Sequence, residues 1–179
     1  MGNIVINAQK PDIWLKFDEP LGATTIVNSG LDTDAVVATD ISGSGILNIG
    51  ITDNIRGQVI ESIGDNFGNK ARVIVNNIPS VVSSAPRTFT GWIKHTDTNL
   101  KWILNTNGNV ANNERFSVQI TNNGFLRVFF GSTVTAISPV AFNIDEWNHF
   151  GVVYDGANLK LYVNGVSTQT EVATANSNY

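Results

Sequence analysis

The apolar and polar positions of this chain repeat with the period of β-strands almost throughout. The clearest stretch is 145–166, DEWNHFGVVYDGANLKLYVNGV. Two apolar runs, 147–154 and 159–163, are separated by Asp155-Gly156-Ala157-Asn158, and Asn164-Gly165 follows the second. Asp-Gly and Asn-Gly pairs suit tight turns because they tolerate positive φ. Leu159, Leu161 and Val163 alternate with Lys160 and Tyr162, so one face of the second run is apolar. The first run is apolar on both parities, as in a strand covered on both sides. The pattern predicts a β-hairpin inside a large sheet.

Similar patterns recur along the chain. Residues 12–18 alternate, with Ile13, Leu15 and Phe17 inward and Trp14, Lys16 and Asp18 outward. Two short strands are predicted within 49–63, about the turn 53–57, and another at 71–76 with Val73 and Val75 on one side. Further strands are expected at 87–95, 102–104 and 115–121, the last with Phe116, Val118 and Ile120 inward. Asn122-Asn123-Gly124 reads as a three-residue hairpin loop whose glycine takes the left-handed position, and 125–130 returns from it. A strand at 134–137 should end before Pro139. Residues 31–48, 65–69, 78–86 and 105–113 read as loops, turns or connectors, 1–11 as an N-terminal arm, and 171–173 as a thin last strand. No long amphipathic helix and no internal repeat occurs. The expectation is an all-β protein, an antiparallel β-sandwich of jelly-roll type with about twelve strands. It forms one domain over 12–179 behind the arm 1–11.

The run Glu146-Trp147-Asn148-His149-Phe150, then Val152-Val153-Tyr154-Asp155-Gly156, then Leu159-Lys160-Leu161-Tyr162-Val163-Asn164-Gly165, resembles the signature hairpin of laminin G-like modules. These modules belong to the concanavalin A-like lectin and glucanase group, with pentraxins as relatives. Residues 14–19 resemble the first strand of the module, and RTFTGWIKH at 87–95 resembles its Arg-Thr-…-Trp-…-Lys strand. The resemblance implies a concanavalin A-like jelly roll. It covers roughly 12–166 and then fails, because the family continues to a closing strand that pairs near the first, whereas only 167–179 remain here. Three readings stay open: the chain is part of a longer protein, the arm 1–8 substitutes, or a neighbouring subunit completes the sheet by strand addition. The first and third are preferred, and an unpaired sheet edge invites a partner.

Composition narrows the function classes. A length of 179 residues is enough for one sizeable core. No apolar run approaches the ~18 residues of a membrane span. The start, MGNIVINAQKPD, lacks the basic and apolar regions of a secretory signal, and Ile6 stands where myristoylation wants Ser or Thr. Net charge is −4, and the 11 basic residues are scattered, which argues against nucleic-acid binding. The absence of cysteine removes disulfides, thiolate metal sites and cysteine nucleophiles together. No Asn-x-Ser/Thr acceptor occurs, which argues against a glycosylated secreted protein.

Candidate chemistry is sparse. The resemblance brings in laminarinase-like hydrolases, which carry a Glu-x-Asp-x-x-Glu run on one strand; retaining chemistry needs two carboxyls ~5–5.5 Å apart. No such run exists here, and Asp18-Glu19 and Asp145-Glu146 are adjacent pairs that would aim to opposite faces. No catalytic residue is assigned, and the chain is expected not to be an enzyme. His95 and His149 are its two histidines. A Ser-His-Asp arrangement is open in principle, but His149 reads as a hydrogen-bonded structural residue, and zinc is disfavoured. Asp32, Asp34 and Asp40 with Gly43 and Gly45 suggest calcium but lack the rest of a calcium loop. No cofactor is expected beyond that open question.

Sugar binding wants aromatic platforms beside amides, because sugar C–H faces stack on rings and hydroxyls need hydrogen-bond partners. Trp14, Trp102, Asn107, Asn109, Asn112 and Tyr162 are the candidates. The resemblance implies a non-catalytic laminin G-like module for adhesion or assembly. Together with the missing signal, it suggests a virion surface or structural protein, a capsid decoration or tail-fibre component. Its expected partners are other subunits, met through an open sheet edge, and a cell-surface glycan, without nucleic acid or membrane insertion. The alternatives are a polysaccharide-active hydrolase and a calcium-dependent secreted lectin.

Overall fold

The computed structural model describes residues 15–31, 36–63, 69–76, 86–105, 115–131, 133–167 and 171–172. All regular structure among them is antiparallel β. The chain forms two compact units, 1–79 and 80–179. The arm 1–11, the aspartates Asp32 and Asp34, and the connector 78–85 lie outside the described residues.

The first unit is built from two ladders. Strand β1 (Val36–Ser42) pairs with β4 (Lys70–Asn76), and β2 (Ile46–Asp53) pairs with β3 (Gly57–Ile63). The β2–β3 hairpin falls about 53–57 as expected. The Asp53 carboxylate accepts the N–H groups of Ile55 and Arg56 at 2.8 and 2.9 Å, and Gly57 takes φ 76°. Two expectations are corrected here. The stretch 31–48 is not simply a loop, because Val36-Val37-Ala38-Thr39 begins a strand. In that strand Asp40 faces Arg72 across the ladder, and its carboxylate accepts from the guanidinium at 2.7 Å. Of the strand expected at 12–18, residues 15–18 are described, and there Leu15 makes one isolated bridge to Asn28. Lys16 and Asp18 are exposed as the alternation requires, but Phe17 at φ 58° takes the backbone out of the β region and ends the extension.

The second unit is an antiparallel β-sandwich. Its first sheet contains β5 (Arg87–Ile93), β10 (Asn148–Tyr154), β11 (Asn158–Val163) and β12 (Val166–Ser167), in the order β12-β11-β10-β5. The short β13 (Glu171–Val172) also pairs with β11, at Asn158 and Leu159. The second sheet runs β6 (Lys101–Asn105), β7 (Phe116–Ile120), β8 (Phe125–Phe130), β9 (Thr133–Ala141), each beside the next.

The β10–β11 hairpin forms as its sequence predicts. Asp155 Oδ1 accepts the N–H groups of Ala157 and Asn158 at 2.9 and 2.7 Å, while Gly156, Asn164 and Gly165 all take positive φ. Leu159, Leu161 and Val163 are fully buried in one cluster with Phe116, Val118 and Val128 of the opposite sheet. Rings join the layers: Phe130 lies 5.3 Å from Tyr154, and Phe89 lies 5.2 Å from Phe116. Each such buried side chain contributes about 1.5–3 kcal/mol of transfer free energy.

Pro139 does not end β9, contrary to expectation. β9 has its strand neighbour on one side only, where a missing N–H is tolerated. The register jumps from Arg127↔Ile137 to Phe125↔Ala141, and the Ser138 hydroxyl accepts the Leu126 N–H at 2.9 Å where the ladder is interrupted.

Candidate functional site

Alternation puts Phe116, Val118 and Ile120 of β7 into the core, so Ser117 and Gln119 face out of the second sheet. Their cross-strand neighbours build a continuous outer face. Gln119 lies between Trp102 and Arg127, and Ser117 lies between Asn105 and Phe129. Trp102 is 42% exposed, and its ring centroid is 6.4 Å from that of Phe129. The Arg115 guanidinium lies 5.9 Å from the Trp102 ring and 6.0 Å from the Phe129 ring. Arg127 lies 4.8 Å from the Phe129 ring, and its Nε and Nη2 donate to Gln119 Oε1 at 3.2 and 2.6 Å. Ser117 donates to Asn105 Oδ1 at 2.7 Å. The described residues of this face thus present the exposed Trp102 ring and Asn105 amide with the half-buried Phe129 ring and two guanidinium groups, while Ser117 and Gln119 are buried.

The outer face of the first sheet differs. Tyr162 lies opposite Gly151 across the ladder, and Lys160 Nζ is 5.7 Å from its ring. Beside it, His149 packs edge-on against Trp92 at 5.0 Å. Thr90 donates its hydroxyl proton to the Phe150 carbonyl at 3.0 Å, so His149 Nε2 must donate to Thr90 Oγ1 at 2.8 Å. His149 is therefore hydrogen-bonded, as read from the sequence.

Of the candidate sugar contacts, Trp14, Asn107, Asn109 and Asn112 lie outside the described residues. Trp102 and Tyr162 are described, and the structure does not bring them together. They stand on the outer faces of different sheets of one sandwich, so they cannot form a single platform.

A further constellation was missed. At one end of the sandwich, three connections line an open pocket of about 310 Å³. His95, Asp97 and Thr98 come from the segment after β5, Asn122 to Gly124 from the β7–β8 turn, and Phe142 and Ile144 from the segment after β9. The Phe142 N–H donates to the Gly124 carbonyl at 2.8 Å, and the Asp145 N–H to that of His95 at 2.9 Å, which ties the connections together. Gly124 takes φ 81°, the left-handed value expected of it.

His95 is 6% exposed, and its buried Nδ1 has no hydrogen-bond partner among the described residues. Burial pushes its pKa below the usual 6.5, with Lys101 acting the same way and Asp97 and Asp145 opposing. The Lys101 ammonium donates to Asp97 Oδ2 at 2.9 Å and holds that carboxyl below its ordinary range, helped by the Asn99 N–H. The sequence signal for this pocket was slight. Asn122-Asn123-Gly124 was legible as a turn, but nothing local tied it to His95.

Among the described residues, no group of three or more His, Cys, Asp or Glu is placed to hold a metal ion. A laminin G family model, described as the concanavalin A-like lectin/glucanases superfamily, matches residues 67–179. No curated protein matches the chain. Comparison with solved structures finds three that are similar to this chain. The carbohydrate binding module CBM66 from Bacillus subtilis shares 14% identity, with 77% of this chain and 81% of that one covered, at a TM-score of 0.48. The HCR/D F1240A mutant shares 15%, with 90% and 42% covered, at 0.53. The alginate lyase AlgAT5 of polysaccharide lyase family 7 shares 17%, with 90% and 69% covered, at 0.40. The chain thus spans less than half of the second.

Proposed function

Because the chain belongs to the concanavalin A-like lectin/glucanases superfamily, we propose that it is a non-catalytic adhesion module that binds glycan on the outer face of the β6–β9 sheet. The observation that carries this reading is the half-exposed Trp102 ring set among Arg115, Gln119, Arg127 and Phe129. A sugar ring can lay its C–H face on the indole while guanidinium and amide groups meet its oxygens. Two guanidinium groups favour an acidic glycan, whose carboxylate or sulfate can meet the N–H groups that Gln119 and Gly131 leave unused. The described residues of the face present no carboxylate, which supports binding rather than hydrolysis.

The test is retention in gels containing polyuronate, sulfated glycan or neutral β-glucan. Retention by the acidic polymers is expected, weakened by salt. Trp102→Ala should reduce the affinity about tenfold with an unchanged melting temperature. No retention by any polymer, or equal retention of the variant, overturns the reading.

The finer placement is a virion surface, as capsid decoration or tail-fibre component, with other subunits met at a sheet edge. A chain without cysteine or an Asn-x-Ser/Thr acceptor suits synthesis in a reducing cytoplasm followed by display outside cells. Recovery of the protein in density-purified particles supports that placement. Recovery only in a soluble secreted fraction overturns it and leaves glycan binding standing.

A further inference from the structure

The three connections at the end of the sandwich are joined by a short chain of contacts that runs through His95. This residue lies two positions beyond β5, and its carbonyl accepts the Asp145 N–H at 2.9 Å. Its ring packs edge-on against Phe142 at 6.2 Å. The Phe142 N–H in turn donates to the Gly124 carbonyl at 2.8 Å. His95 thus ties the segment after β5 to the segment after β9, and Phe142 carries the link to the β7–β8 turn. Asp145 sits at φ 62°, a left-handed conformation that costs energy in a residue with a side chain. Its bond to His95 helps to hold that conformation. An open pocket is lined by the same three connections, so side-chain packing alone does little to keep them together.

The imidazole fits this joint in its neutral form. Nδ1 is buried and has no hydrogen-bond partner among the described residues. A neutral ring can carry its single proton on the other nitrogen, but an imidazolium carries one on both. Its Nδ1–H would be a buried, charged donor with nothing to accept it, which costs far more than a bare neutral nitrogen. The charges around the ring do not offset this. Asp97, from its own segment, is bound to the Lys101 ammonium at the start of β6 at 2.9 Å. Asp145, from the segment after β9, is exposed, and the turn Asn122-Asn123-Gly124 brings no charge. Lys94 and Glu146, which adjoin these segments, are exposed as well. Burial, helped by Lys101, outweighs the two aspartates and sets the pKa of His95 below 6.5.

We infer that His95 is an acid-operated latch: on taking up a proton its ring leaves Phe142 for solvent, and the segment after β5 parts from the segment after β9. The open form binds the proton more tightly than the closed one. The latch is therefore fully closed above about pH 6.5, and the closed fraction falls as pH drops toward the folded pKa, by at most about tenfold per pH unit. β10 and β11 pack on the opposite sheet through apolar side chains and stay closed. The inference is independent of the glycan reading, because Trp102 stands on the outer face of the β6–β9 sheet.

The test is amide hydrogen exchange, followed residue by residue by NMR on the whole chain at neutral pH and at about pH 5, where carboxylates stay largely charged. Each rate is referred to the intrinsic rate at its own pH. Protection of the Asp145 and Phe142 amides, whose bonds the latch holds, should fall at least about threefold at the lower pH, while amides of β10 and β11 keep theirs. His95→Phe keeps a buried ring without a titrating nitrogen, and His95→Gln removes the titration by another route. Both should abolish the fall, with protection in β10 and β11 showing that they fold. The imidazole nitrogen shifts of the two histidines give a second readout, in which His95 should titrate below 6.5. The inference is overturned if Asp145 and Phe142 are equally protected at both pH values, or if the fall persists in both variants. Loss of protection in β10 and β11 to the same extent, or titration of His95 at or above 6.5, also overturns it. Gel retention scores the glycan reading separately, so either can fail alone.

Discussion

The two compact units spend their apolar residues differently. Among the described residues of the unit 80–179, fourteen buried hydrophobic residues form one cluster between the sheets. In the unit 1–79, Ile26 and Ile49 are the buried hydrophobic residues among those described, while Leu21, Ile41, Ile46, Ile55 and Ile63 are largely exposed. Both units have β-branched strands and well-formed ladders. The difference is that β10 and β11 face a second sheet across one apolar cluster, whereas β4 touches β2 and β3 without such a cluster among the described residues of the first unit. Alternation makes a strand, but it buries surface only where another layer is supplied. The sandwich should therefore carry most of the stability, and the first unit should rest more on close backbone fit.

The sharpest way to break this contrast is to cut into the sandwich core. Leu161 is 0% exposed between the sheets, so Leu161→Ala should cost about 2–5 kcal/mol in denaturant unfolding. A cost below about 1 kcal/mol would mean that the two layers are loosely packed. The first unit offers a backbone counterpart. Gly50 sits at φ 78°, and a Cβ there would lie 2.5 Å from the Glu19 carbonyl oxygen and the Leu21 nitrogen. Gly50→Ala should cost about 2 kcal/mol, seen as faster amide exchange in β2 and β3 while β10 and β11 keep their protection. Loss of protection in both units together would show them to unfold as one.

The smallest expected effect is the pH response of the sandwich end. His95 has its pKa lowered from 6.5, mainly by burial. The unfolded chain then takes up a proton that the folded one resists, so this contribution to stability is complete above about pH 6.5 and falls as pH drops toward the folded pKa. Thermal melts on either side of pH 6.5 should show a decline that His95→Gln flattens. An identical decline in the variant would assign it to other groups.

How much was legible follows from these particulars. The ladder of the second unit could be read because its signals are local. Leu159, Leu161 and Val163 alternate, Asp155 caps a turn through its own carboxylate, and Gly124, Asn164 and Gly165 supply the positive φ that the turns need. Strand β1 was hidden among aspartates and glycines, because its pairing with β4 is long-range. Pro139 misled because a missing N–H forbids a central strand but not one with a single strand neighbour.

The candidate sites divide the same way. Trp102 could be picked out as an aromatic off the core parity, and so could Tyr162, but parity says only that a residue faces away from its own strand's core side. Which sheet each strand joins depends on pairings dozens of residues apart, and these put the two rings on different faces. The pocket is a stronger case. His95, Asn123 and Ile144 meet only because two sheets pack and bring three connections to one end. The sequence by itself determined strand, turn and parity, since those rest on neighbouring residues and backbone sterics. The packing of the two layers decided which polar groups would be buried together, and left His95 with a nitrogen that nothing in the described protein satisfies.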